Sequence, residues 1–272
     1  GASFFDFIHL ELMPYLESKF RIAPFKILAG HDNTATFANF SLYKKPHVFD
    51  ALIVLSPFYV NNMEENVPIL LNESTKKMFY YHAISQGGPK SIKESEIRVK
   101  NAIQAIENPK FDFKFDVFEN SNQNTVVMHA IPNALQFIFN IYQPISLAEF
   151  QTKITVLESG YVDYLTQKYE TIKIRLGIEI PIRFTDFKAI ETAILKNNKL
   201  DEFEKLAELA KKQFPKSLLY DYYMGLMYEL KGDYRKAEKA YIIGFQKESI
   251  GDLKKNYLLE RSELIKNLAN TN

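Results

Sequence analysis

Three short, almost uninterrupted apolar runs punctuate the first half of this chain: residues 25–29 (FKILA), 51–55 (ALIVL) and 78–84 (MFYYHAI). Each is long enough for a strand and too short for a helix. A run with no polar face has to be covered on both sides, which is the condition of a strand inside a parallel sheet. Parallel neighbours are joined only by crossovers, usually helices. Helical patterns do lie beside the runs, at 4–20, 35–43, 94–107 and 133–142. The first carries Phe4, Ile8, Leu12 and Leu16 at i, i+4 spacing. The segment 111–118 alternates apolar and charged residues and reads as a fourth strand. Strand and helix in alternation predict an α/β fold with a parallel sheet and helices on both of its faces.

From residue 182 on, the strand signals stop and only helical pattern remains, with loops marked by Asn197-Asn198, Pro215 and Gly232-Asp233. An internal repeat runs through it. The stretch 198–203 (NKLDEF) recurs as 232–237 (GDYRKA), an offset of about 34 residues, the period of a tetratricopeptide unit. Gly225, Tyr228, Gly232, Ala237 and Tyr241 fall at the spacing that unit uses. Small residues at 225 and 237 let two antiparallel helices approach. In the first copy Glu191 stands in place of the glycine and Phe203 in place of the alanine. A tetratricopeptide-like segment is expected over 182–272, with a generic helical hairpin as the alternative. The domains read as 1–145 (α/β), 146–181 (a helical connection) and 182–272 (helical repeats).

Composition narrows the function. The 34 basic and 33 acidic residues nearly cancel, giving a formal charge of +1. That balance offers no footprint for nucleic acid or an anionic membrane surface. No apolar run is long enough to span a bilayer. The chain has no cysteine, which excludes disulfides, thiolate metal sites and cysteine nucleophiles. No His, Asp and Glu set shows metal-ligand spacing, and the glycines and lysine of a P-loop are absent. No cofactor is expected.

The strand at 25–29 runs directly into Gly30-His31-Asp32-Asn33-Thr34 and then a helix. A strand, G-x-nucleophile-x-G and a helix make the nucleophile elbow of α/β-hydrolases. Residues 4–15 (FFDFIHLELMPY), 50–57 (DALIVLSP) and 134–139 (ALQFIF) resemble, as a set, the helix before the elbow, the next strand and the late helix of the enterochelin-esterase-like family of esterases. The resemblance covers roughly residues 1–180. It implies the carboxyl-terminal half of an α/β-hydrolase, and an exported or periplasmic location.

The family's chemistry does not carry over. Its serine falls at Asp32, and its second elbow glycine falls at Thr34, whose side chain is expected to crowd the turn. Its histidine falls at Gln123, within Asn122-Gln123-Asn124-Thr125. An amide takes no proton from a nucleophile near neutral pH. Between Glu73 and Glu94, where the triad acid belongs, there is no Asp or Glu. Asp32 and Gln123 are thus expected as vestigial positions of an inactive esterase-like protein that binds a protein or peptide partner. Gly-His-Asp is also the elbow of haloalkane dehalogenases and epoxide hydrolases, where the aspartate attacks carbon and a histidine activates water. His129 is the candidate for that histidine, against a partly buried place at a helix start. His31 is expected under the turn, and His82 as a hydrogen-bonded core residue. In the family several strands precede the elbow. Without them the strand at 25–29 is expected to be an apolar edge open to a second copy or a companion chain.

Overall fold

The computed structural model describes residues 1–87 and 90–271. Its contacts divide the chain into two compact units, Gly1–Tyr142 with Ile174–Ile178, and Gln143–Lys173 with Glu179–Asn272.

The first is a sheet unit. Helix α1 is built from Ala2–Asp6, a π-helical stretch Phe7–Leu12, and Met13–Lys19. There follow β1 (Ile27–His31), α2 (Asn33–Phe40), β2 (Ala51–Leu55), α3 (Met63–Asn72), β3 (Met78–Ser85), α4 (Lys90–Gln104), β4 (Phe111–Phe118) and α5 (Val126–Phe139). The strands lie in the order β1-β2-β3-β4, all parallel, with Ile27 beside Ala51, Ala51 beside Phe79 and Met78 beside Phe111. Sequential order with crossovers of one hand places every crossover helix on the same face. Leu52, Val54, Met78 and Tyr80 accordingly pack with Ala35 and Ala38 of α2, Val67 and Leu71 of α3, and Val99 and Ile103 of α4. The alternate residues Ala51, Ile53, Leu55, Phe79, Tyr81 and Ala83 meet Val126, Ala130, Ala134 and Ile138, the i, i+4 stripe of α5. Both central strands are buried along their whole length, as the absence of a polar face requires.

Several elements differ from the sequence reading. β1 starts two residues later and takes in Gly30 and His31, because its register is set by pairing with Ala51–Leu55 rather than by its own hydrophobicity. Helix α3 was not legible: Pro68 sits inside it and interrupts the pattern. Helix α5 begins at Val126 rather than 133, carrying Pro132 on its exposed side, where water can take the acceptor that the missing N–H frees.

The second is a helical unit. It holds α6 (Leu147–Glu149, continued by a π-helical stretch Phe150–Ile154), most of α7 (Tyr161–Leu176), α8 (Phe184–Lys196), α9 (Glu202–Gln213), α10 (Leu219–Leu230), α11 (Tyr234–Phe245) and α12 (Lys255–Thr271). Successive helices from α8 to α12 pack on one another. The ends of α8 and α10 are built alike. Asn198 and Gly232 both take a left-handed conformation, at φ 52° and 79°. Lys199 N–H donates to Ile194 O and Asp233 N–H to Tyr228 O, the long bond of a Schellman cap in each case. Gly225 on α10 lies against Tyr241 of α11, where a Cβ would stand 2.5 Å from the ring. Among the described residues no helix is long and apolar enough to cross a membrane.

Candidate functional site at the strand ends

The turn after β1 is strained and glycine-dependent. A Cβ on Gly30 would lie 2.2 Å from the Thr34 carbonyl oxygen, so only glycine lets the helix fold back this closely. Asp32 takes φ 59° and ψ −124°. That region admits glycine freely and costs an L-residue about 1–3 kcal/mol. The conformation is held from both sides: Asp32 N–H donates to Leu55 O at 3.0 Å, and Asp32 O accepts from Ala35 and Thr36. This is the geometry of a nucleophile elbow, with Asp32 at its apex. Thr34 does not crowd it. Its hydroxyl accepts from His31 N–H at 2.8 Å and donates to His31 O at 2.7 Å, closing the turn that a second glycine would leave open.

The loop after β4 reaches the same end of the sheet. His31 Nε2 lies 2.6 Å from the main-chain oxygen of Gln123, so that nitrogen carries the proton and donates it there. Gln123 Nε2 donates to Ser56 O at 3.4 Å. Ser56 follows β2 directly, at φ 45°. Asp32, Ser56 and Gln123 are therefore gathered at the carboxyl ends of the parallel strands, where ligands of open α/β sheets bind. His129 is not among them. It lies in the first turn of α5, exposed rather than partly buried, and stacks on Phe118 at 5.7 Å.

Several buried polar atoms near these strand ends have no hydrogen-bond partner: Asp32 Oδ1, Ser56 Oγ and Ser85 Oγ. On the face covered by α2, α3 and α4 the same holds for Asn39 Nδ2, Tyr59 OH, both ring nitrogens of His82, and Glu96 Oε1. The expected hydrogen bonds of His82 are not made. Its burial is complete, and desolvation pushes it down to about 3, so it is neutral. Desolvation pushes Glu96 up to about 8, so it is protonated at neutral pH. Tyr59 is raised by the same cause. Nothing local in the sequence marks Ser56, Tyr59 or Glu96, since their burial is created by packing between segments far apart in the chain. Among the described residues no group of three or more His, Asp and Glu is placed to hold a metal ion.

No protein-family model and no curated protein matches the chain. Solved structures do. An uncharacterised protein from Capnocytophaga ochracea is 27% identical over 97% of this chain and 75% of its own, with a TM-score of 0.86. An IroE-like serine hydrolase from Shewanella oneidensis is 14% identical over 76% of this chain and 65% of its own, with a TM-score of 0.52. The BES protein of Bacillus cereus overlaps half of this chain at 26% identity and a TM-score of 0.46. With its four parallel strands and the elbow at Asp32, this chain has an α/β fold that resembles that of an esterase-like hydrolase.

Proposed function

We propose that this chain is a catalytically inactive relative of the enterochelin-esterase-like esterases, acting as a binding or scaffold module through its sheet unit and its helical repeats. One observation carries the reading: the elbow presents a carboxylate, and neither His31 nor His129, the imidazole of the elbow and the candidate base, is free to serve it. The protonated nitrogen of His31 is bound to Gln123 O, Gln123 itself stands in place of the base, and His129 is stacked on Phe118. A hydrolase missing its nucleophile and base keeps only residual means of catalysis. The identical caps of α8 and α10, about 34 residues apart, support a tetratricopeptide-like segment over 182–272. The domain reading is then 1–145, 146–181 and 182–272. Stacked helical hairpins of this kind supply a surface for a protein or peptide partner. A second docking place is β1, which among the described residues pairs only with β2 and leaves its other edge to a second copy or a companion chain.

The competing reading is an α/β-hydrolase acting on esters or, with Asp32 as nucleophile, on epoxides or haloalkanes. The unbonded, buried Oδ1 of Asp32 favours it. A screen with short acyl esters, epoxides and haloalkanes separates the two. No turnover is expected on any of them, and Asp32→Ser alone is not expected to create esterase activity. Turnover that disappears in Asp32→Asn would replace the inactive reading with the competing one.

A further inference from the structure

A cleft of about 310 Å³ in the helical unit is lined by Lys188, Tyr222, Asp252, Leu253, Lys254 and Tyr257. Its walls come from successive first helices of the stack: Lys188 from α8, Tyr222 from α10 and Tyr257 from α12. Beside it lies Glu191, only 5% exposed. A buried carboxylate is costly unless it is paired. Glu191 takes the Lys188 ammonium on both oxygens, at 2.8 and 2.7 Å, and the Tyr222 hydroxyl on Oε1 at 2.7 Å. The same ammonium stands 5.4 Å above the Tyr222 ring, and Tyr257 meets that ring edge-on at 6.2 Å. A carboxylate combined with aromatic faces is the environment that holds ammonium and guanidinium groups. Here it already holds one, supplied by the chain itself from three residues away.

The Lys188 side chain is partly open to solvent. Its side chain is 37% exposed against 7% for that of Glu191, so the acceptor is fixed and buried while the cation reaches it from the solvent side. Lys254, the other cation of the cleft, has its Nζ on Gly251 O. Asp252 adds an exposed negative charge at the rim. We propose that this cleft is a recognition site for a lysine or arginine side chain of a partner, with Lys188 as the internal occupant that the incoming cation replaces on Glu191. The proposal rests on reading the helical unit as a binding module, and it names the chemistry of one contact in it.

The test is replacement of the occupant. Lys188→Ala leaves the Glu191 carboxylate facing the open cleft, and Lys188→Met does so while keeping the aliphatic packing. Butylammonium and butylguanidinium are the probes, followed by the NMR shifts of Tyr222 and Tyr257 and by thermal melting. We expect both variants to bind the probes at least tenfold more tightly than the wild type and to regain part of their lost Tm. Glu191→Gln in either background should abolish the effect. Probe binding that survives Glu191→Gln, or an absence of saturable shifts at Tyr222 and Tyr257 in the folded Lys188→Met variant, overturns the proposal. Neither result touches the inactivity of the elbow, which the substrate screen reads separately. A helical unit that takes the probes through Glu191 yet captures no partner would count against the binding-module reading instead.

Discussion

In the helical unit, Asp186 accepts from Ile145 N–H and from the Tyr169 hydroxyl, and Glu191 is bonded to Lys188 and Tyr222. In the sheet unit, Asp32, Ser56, His82, Ser85 and Glu96 each bury at least one polar atom that meets nothing. On the helical side the Tyr223 hydroxyl and Asp221 Oδ2 are likewise buried without a hydrogen bond, the latter in an ion pair with Lys247. A buried polar atom without a partner costs about 1–3 kcal/mol. A stacked helix can place a partner one turn or one repeat away by local geometry alone. In the sheet unit the orphans lie in two places, Asp32, Ser56 and Ser85 at the strand ends, where loops set what lies above, and His82 and Glu96 under the helix-covered face, where segments far apart in the chain meet. The difference is one of local supply: the named carboxylates of the helical unit find partners within that unit, and several buried polar groups of the sheet unit do not.

The sharpest break in that comparison is steric. Gly30 and Gly225 each allow a close approach, but against different neighbours. A Cβ at 30 meets backbone, the Thr34 carbonyl at 2.2 Å, whereas a Cβ at 225 meets the Tyr241 ring at 2.5 Å. Backbone in a helix start cannot give way, while a ring can tilt. Gly30→Ala should cost about 3–5 kcal/mol or prevent folding, and Gly225→Ala about 1–3 kcal/mol, measured by urea denaturation. Equal losses would mean that the elbow is no tighter than the helix seam.

Two of the unpaired groups, Glu96 and His82, give the sheet unit a pH signature of its own. Glu96 is raised by desolvation, against an opposing effect of Lys93, from 4.5 to about 8. Its contribution to stability is complete below pH 4.5 and is lost as pH rises through about 8. His82 is lowered from 6.5 to about 3, so its contribution is present above pH 6.5 and is lost as pH falls through about 3. Stability should therefore decline on both sides of a mildly acidic optimum. Glu96→Gln should flatten the alkaline limb by a few kcal/mol at most and leave the acid limb in place. An unchanged alkaline limb would show that Glu96 ionises in contact with solvent.

Strain at the apex gives a smaller effect of opposite sign. Asp32 holds a conformation suited to glycine and buries an unbonded oxygen. Asp32→Gly removes both penalties and should stabilise the chain by about 1–2 kcal/mol, read as a raised Tm. A destabilised variant would indicate that the carboxylate has a partner in solution.

The pattern of residues made the sheet legible where burial is symmetrical. Ala51–Leu55 and Phe111–Phe118 fall where the apolar and alternating runs placed them, and the elbow was visible because Gly30 and the adjacent strand are local features. Legibility failed where tertiary contacts override local signals. Helices α3 and α5 contain Pro68 and Pro132, which locally disfavour helix, so pattern alone neither found the first nor placed the start of the second. His82 looked like an ordinary core histidine, and whether a buried ring finds a partner depends on what α3 and α4 bring to that face. Thr34 looked like an obstacle to the turn because its size was legible and its two hydrogen bonds to His31 were not.

The smallest prediction concerns the two matched caps. Asn198 and Gly232 occupy the same place in successive helical turns, with φ 52° and 79° and the same set of backbone bonds around them. Asparagine tolerates the left-handed region better than other residues with a Cβ, but glycine adopts it without steric cost. Nothing lies within 4 Å of a Cβ built on Gly232, so a substitution there is opposed by backbone conformation alone. Asn198→Gly should therefore stabilise the helical unit by about 0.5 kcal/mol, and Gly232→Asn should weaken it by a similar amount. Gly232→Ala should cost more, about 1 kcal/mol, since alanine lacks the local hydrogen bonding that helps asparagine there. Because the caps share one geometry, the paired change Asn198→Gly with Gly232→Asn should leave the unfolding midpoint nearly where it began. A large net shift in either direction would show that the two turns, alike in backbone, are held by different surroundings, and would weaken the case for a repeat.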